Sequence, residues 1–279
     1  MDTECFTTLI QSTDLQRILD RDSTMVIDVR FSLADPAEGS ALYATGHIPG
    51  ASYLHLDNDL SGDLTPSTGR HPLPDVDTFA DTLRRCGAGG QSQIIAYDQG
   101  SGAFAARLWW LCKWLGHEQV AVLDGGLAAW QTEGFSIDQA VPAPPHGDLK
   151  PCLRDGLCVT AAELKQAMER DGVVLIDARA PERFRGEVEP IDRVAGHIPG
   201  AINFPFTGNL GASGTFLTPT RLAERHTSEG DTVHMCGSGV TACHNILATV
   251  LAGHAMPRLY AGSWSEWITD PTRGVATGD

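Results

Sequence analysis

Positive charge is scarce in this sequence: 20 lysines and arginines stand against 35 aspartates and glutamates, a formal net charge of −15. So acidic a chain repels nucleic-acid phosphates and anionic lipid headgroups, which leaves small molecules or other proteins as the expected partners. Long apolar runs are missing as well. No window approaches the ~20 residues that a spanning helix needs, and the acidic start Met1-Asp2-Thr3-Glu4-Cys5 is no signal peptide, so a cytoplasmic protein is expected. Paired cysteines are absent from the pattern. Cys5, Cys86, Cys112, Cys152, Cys158, Cys236 and Cys243 are odd in number and scattered through a chain too large to need staples, which excludes a disulfide framework. No His/Cys cluster has zinc spacing either, so no metal site is expected.

What the sequence does have is a repeat. Val26-Ile27-Asp28-Val29-Arg30 recurs as Leu175-Ile176-Asp177-Ala178-Arg179, and Gly46-His47-Ile48-Pro49-Gly50-Ala51 as Gly196-His197-Ile198-Pro199-Gly200-Ala201. Near the end of each half, Asp124-Gly125-Gly126-Leu127-Ala128-Ala129-Trp130 answers Ala261-Gly262-Ser263-Trp264-Ser265-Glu266-Trp267. Three matches in one order indicate a duplication, and 279 residues suffice for two domains with cores of their own. The proline-rich stretch Gln139–Asp148 marks the join, which gives domains at 1–140 and 155–279 and a linker at 141–154. Within the halves short apolar strands (25–29, 93–97, 120–123) alternate with a helical pattern at 104–115, the signature of an α/β unit with a mainly parallel sheet flanked by helices. His47 and His197 occur in both halves and are expected to hold structure.

The chemistry concentrates at Met235-Cys236-Gly237-Ser238-Gly239-Val240-Thr241-Ala242. An apolar strand, 232–235, ends at Cys236, and a helix-period pattern resumes at Thr241. Gly237 and Gly239 allow successive N–H groups to turn inward just ahead of a helix N-terminus, a cradle for a negative sulfur. Cys236 is therefore expected to act as a nucleophile near neutral pH and to be able to carry a persulfide. Cys243 on the following helix reads as a buried structural thiol. Ungapped alignment from Gly116-His117 and Gly253-His254 sets Gln99-Gly100-Ser101-Gly102 opposite Cys236-Gly237-Ser238-Gly239. On that alignment the first half keeps the turn and lacks the sulfur.

These motifs together resemble the tandem-domain sulfurtransferases of the rhodanese superfamily over essentially the whole chain. The resemblance implies two tandem rhodanese-like domains, the first inactive and the second bearing the catalytic Cys236, with the active site in the cleft between them. It also implies a donor: thiosulfate-preferring members carry Arg and Lys just after the cysteine, whereas those using 3-mercaptopyruvate have Gly-Ser, as Gly237-Ser238 does here. Thiosulfate is the alternative. Arg183, in Ala180-Pro181-Glu182-Arg183-Phe184-Arg185-Gly186, is similar to the arginine that binds the donor carboxylate. Arg193 is in range of the family's second arginine, although gapped alignment to Gly196-His197 puts Ile191 there. Gly69-Arg70-His71-Pro72-Leu73-Pro74 and Leu56-Asp57-Asn58-Asp59 resemble the segments that give a Ser-His-Asp relay, here Ser238, His71 and Asp59. Backbone N–H groups of Gly237, Gly239, Val240 and Thr241 would hold the persulfide.

The implied reaction is ping-pong and needs neither metal nor organic cofactor. Its acceptor would be cyanide or a thiol such as thioredoxin, and a monomer is expected because two halves already complete the cleft. A phosphatase of related fold would need an arginine six positions after the cysteine, where this chain has Ala242. A non-catalytic binding module is the remaining class, and the intact Cys236 loop counts against it.

Overall fold

The computed structural model describes residues 5–170, 172–226 and 230–279. Met1–Glu4, read above as no signal peptide, lies outside the described residues. Two compact units divide the chain. The first comprises the described part of Met1–Gly62 with Pro74–Arg154 and Ala212–Thr215; the second comprises Asp63–Leu73, Asp155–Gly211 and Phe216–Asp279. Each unit thus takes in a short segment from the other half of the sequence. Gln139–Asp148 carries no helix or strand, and just beyond it Leu149, Cys152 and Arg154 donate to the Ala88, Leu115 and Trp114 carbonyls of the first unit. Among the described residues no helix is long and apolar enough to cross a membrane.

In the first unit β1 (Leu9–Ile10), α1 (Ser12–Ile18), β2 (Thr24–Asp28), α2 (Glu38–Thr45), β3 (Ser52–Tyr53) and α3 (Leu56–Asp59) come first. They are followed by α4 (Val76–Arg85), β4 (Gln93–Tyr97), α5 (Ala105–Trp114), β5 (Val120–Leu123) and α6 (Gly126–Thr132). The strands form one parallel sheet in the order β1-β5-β4-β2-β3. In the second unit the elements are α7 (Ala161–Glu169), β6 (Val174–Asp177), α8 (Pro181–Phe184) and β7 (Ile202–Asn203), then α9 (Pro219–Arg225), β8 (Thr232–Met235), α10 (Thr241–Leu251), β9 (Arg258–Leu259) and α11 (Ser263–Trp267). Its parallel sheet runs β7-β6-β8-β9. A single parallel bridge from Cys158 to Leu259 stands where β1 pairs with β5. The central strands β4 and β8 are buried at every residue, as expected of parallel strands covered on both faces.

The repeated motifs are the joints of this architecture. Asp28 at the end of β2 takes the fork of Arg30, whose Nη2 also donates to the Gly46 carbonyl (2.8 Å); Asp177, Arg179 and Gly196 repeat the arrangement with the same 2.8 Å bond. Each pair is almost wholly buried, and the bidentate geometry and the extra carbonyl offset the desolvation of its charges, with Glu189 a further 3.6 Å contact of Arg179. The histidines of the other motif stack on a ring, His47 on Tyr43 and His197 on Phe184. Each also bonds that residue's carbonyl through Nδ1 and closes an antiparallel bridge to a segment beyond the last helix of its unit, at Asp138 and Ala276.

A polar network under α10 makes the second unit sensitive to acid. His226 is buried between Asn209 Oδ1 (3.0 Å) and Thr249 Oγ1 (2.9 Å). Burial, helped by the charges of Arg225 and His254, lowers its pKa to about 4. The unfolded chain binds that proton near pH ~6.5, so the stability tied to neutral His226 is complete above that pH and lost as the pH falls toward 4. Thermal midpoints should therefore drop across this window, and the drop should be shallower in His226→Gln. Equal slopes in the two proteins would remove His226 from the acid response.

Candidate active site

The carboxyl edge of the second sheet, where ligands bind in open α/β sheets, is where β8 delivers Cys236. The loop that follows is braced by the terminal repeat. Cys236 N–H donates to Ser263 Oγ (3.1 Å), which in turn donates to the Tyr260 carbonyl (2.9 Å). The N–H groups of Trp264 and Ser265 take the carbonyls of Cys236 and Gly237. Ser263 holds this post at φ +54°, in the left-handed region that a non-glycine residue rarely occupies.

Gly239 N–H donates to Cys236 Sγ at 3.1 Å, a bond that strengthens when the sulfur is anionic. Cys243 Sγ donates to the Gly239 carbonyl (3.2 Å), so the second thiol is tied to the residue whose N–H addresses the first. Gly239 has φ +76°, and a Cβ there would come within 2.4 Å of the Ala261 oxygen. Gly237 differs from the expectation: its φ is not positive, and what it supplies is clearance. A Cβ on Gly237 would stand 3.1 Å from Arg70 Nη2 and 3.6 Å from the Arg183 guanidinium. Val240 caps the turn and Thr241 opens α10.

The first unit provides an internal control, and it corrects the ungapped alignment. Asp28 pairs with Tyr97 in the first sheet, and Asp177 with Met235 in the second, so the residue matching Cys236 is Asp98 and not Gln99. The glycines at φ +75° and +76°, Gly102 and Gly239, match in turn, which leaves the first loop one residue longer. A one-residue insertion cannot be seen by an alignment anchored on the helix beyond it. The Asp98 carboxyl fills its own loop: Oδ1 accepts from Gly100 (2.9 Å) and Gly102 (3.0 Å), and Oδ2 from Phe104 (3.0 Å) and Ala105 (3.4 Å). Burial raises its pKa on balance, and the four amides pull the other way; four N–H donors on its two oxygens are the geometric argument for a carboxylate. This loop geometry turns N–H donors onto the group at its first position, and in the second unit that group is sulfur.

Beside Cys236 the segment Asp63–Leu73, part of the second unit, brings His71 Nδ1 to 2.7 Å from Ser238 Oγ, both groups buried. The same segment brings Arg70, which pairs with Asp192 (2.5 Å). Arg183 shares that carboxylate (3.1 Å) and forks onto Glu189 (2.8 Å). Burial alone would raise the Glu189 pKa, but hydrogen bonds from Arg183 and from the Asp192 and Ile191 amides, with the Arg183 charge, hold it low. The Arg193 guanidinium donates to the Ile268 carbonyl and borders a pocket with Val194, Thr269 and Asp270, whose lining includes no residue of the cysteine loop. Asp59, in the first unit, closes α3, and its carboxylate accepts the His55 N–H (2.7 Å). Sequence reasoning thus missed Arg70 and Asp192. The signal for Arg70 was its position next to His71; Asp192, one acid among many, had none.

A model of the rhodanese-like domain matches residues 11–133 and 160–270. A Pseudomonas aeruginosa protein named "Probable 3-mercaptopyruvate sulfurtransferase" is 49% identical over 279 residues, covering 97% of this chain and 98% of that one. A Mycobacterium tuberculosis relative bearing a name for a thiosulfate sulfurtransferase, SseB, is 41% identical over 92% of each chain. The crystal structure of the 3-mercaptopyruvate enzyme SseA from Escherichia coli superposes with a TM-score of 0.82 at 32% identity, covering 94% of this chain and all of that one.

Proposed function

The chain belongs to the rhodanese-like family in both of its halves, and from that premise we propose that it is a sulfurtransferase moving sulfur from 3-mercaptopyruvate to a thiol or cyanide acceptor through a persulfide on Cys236. The observation that carries this reading is the matched pair of loops: where one unit cradles the Asp98 carboxylate, the other directs the equivalent amide at Cys236 Sγ. A cradle of that kind suits a thiolate, and equally the persulfide anion that replaces it.

In the first half-reaction the Cys236 thiolate attacks the donor sulfur, the S–S bond forms and the donor's C–S bond breaks. The electron pair goes to carbon as the enolate of pyruvate. The proton of the donor thiol ends on that carbon, giving pyruvate and leaving Cys236 as the persulfide anion. Ser238 and His71, joined at 2.7 Å, are suited to carry that proton and to stabilise the enolate oxygen. Arg183 and Arg70, both close to Gly237, supply planar forks for the donor carboxylate. In the second half-reaction the acceptor attacks the outer sulfur, the S–S bond breaks and the Cys236 thiolate returns. Backbone N–H groups of Gly237, Gly239, Val240 and Thr241 hold the anion in the interval.

Thiosulfate is the second reading, favoured by the name of the Mycobacterium tuberculosis relative and served by the same cysteine. Steady-state kinetics with the two donors separates them. The expected result is ping-pong behaviour, pyruvate released with each sulfur moved, and a kcat/KM for 3-mercaptopyruvate above that for thiosulfate. The reverse order would make thiosulfate the donor and leave the persulfide chemistry standing.

A further inference from the structure

A continuous line of ion pairs runs beside the cysteine loop: Arg70 to Asp192 (2.5 Å), Asp192 to Arg183 (3.1 Å), Arg183 to Glu189 (2.8 Å), Glu189 to Arg179 (3.6 Å) and Arg179 to Asp177 (2.7 Å). Three guanidiniums meet three carboxylates, so the line has no net charge. Asp192 is its hinge. Its side chain is 5% exposed, one oxygen faces Arg70 and the other Arg183, and these are the two guanidiniums that crowd Gly237. A donor with one negative charge finds two oriented forks there. One with two negative charges finds the same forks but no surplus positive charge, and it must also approach the Asp192 carboxylate in a partly desolvated site, where each added charge weighs more than in water.

We propose that Asp192, shared by Arg70 and Arg183, is a specificity-determining positioning residue that turns the site toward monoanionic carboxylate donors and against dianions such as thiosulfate. The proposal rests on the sulfurtransferase reading above. Asp192 acts through the two arginines: it holds Arg70, which the sequence places in the other half of the chain, against the loop, and it cancels the charge that would otherwise favour a small dianion.

The test is Asp192→Asn, which keeps the shape and one oxygen acceptor for a guanidinium and leaves the line with one net positive charge. The ratio of kcat/KM for 3-mercaptopyruvate to that for thiosulfate should fall by about tenfold, through KM more than kcat, and the shift should shrink as salt rises. A purely structural role would lower both donors together and in kcat; that result, or an unchanged ratio, overturns the proposal. Arg70→Gln makes the opposite change of charge and should penalise thiosulfate more than 3-mercaptopyruvate, so the proposal stays open to refutation should the first variant not fold. Equal losses for the two donors in Arg70→Gln would also count against it. The wild-type ratio tests the donor reading, and the change of ratio on substitution tests Asp192, which keeps the two failures apart.

Discussion

Cys236→Ser is expected to lose sulfur transfer from every donor, by at least about 10⁴-fold, while unfolding at the temperature of the parent. The loss follows because a serine hydroxyl cannot bear the transferred sulfur, so no neighbouring group can compensate. Folding should survive because the structural bonds of Cys236 are made by its backbone, to Ser263 Oγ and from Trp264 N–H. The bond that its sulfur accepts from Gly239 a serine oxygen can accept as well. Intact-mass measurement makes the test independent of turnover. With donor present and acceptor withheld, the parent should gain one sulfur atom and the variant none. A variant that still gains sulfur would move the nucleophile to another cysteine, and Cys243 is poorly suited because its thiol is turned to the Gly239 carbonyl.

How much of this could be read beforehand depended on whether a feature was local or required two distant segments to meet. The strands at 93–97 and 120–123 match β4 and β5 residue for residue, because buried parallel strands leave continuous apolar runs that periodicity detects. The repeated Asp-x-Arg and Gly-His-Ile-Pro-Gly-Ala motifs were legible as a duplication. Their reason, an arginine that ties a strand end to the glycine before a stacked histidine, was not, since that bond spans 16 or 17 positions. Ser238 and His71 lie 167 positions apart and meet as the family resemblance implied. Arg193 and Arg70 mark the opposite case. Counting positions along the chain favoured an arginine near Arg183, whereas the second guanidinium beside Gly237 comes from 63–73, a segment that counts with the second unit despite its place in the first half. Spacing cannot register a segment exchanged between units.

Asp98→Ala is the sharpest test of the cradle itself, because it acts on the loop that carries no sulfur. Removing the carboxylate leaves the amides of Gly100, Gly102, Phe104 and Ala105 without the acceptor they share. An unmet buried N–H costs roughly 1–3 kcal/mol, and water entering the vacated space offsets part of the total, so a net loss of about 3 kcal/mol is expected. For a unit of this size that corresponds to a fall of roughly 6–12 °C in the thermal midpoint. Asp98→Asn should lie between, since one oxygen still accepts while the amide NH₂ confronts N–H groups that also donate. A ranking of parent, Asn, Ala in falling stability would establish that this turn is built around a negative group. The same geometry then accounts for why the matching turn can hold a thiolate and, after the first half-reaction, a persulfide. If Asp98→Ala were as stable as the parent, the four amides would need no anion, and the electrostatic case for Cys236 would have to stand on the single Gly239 bond alone.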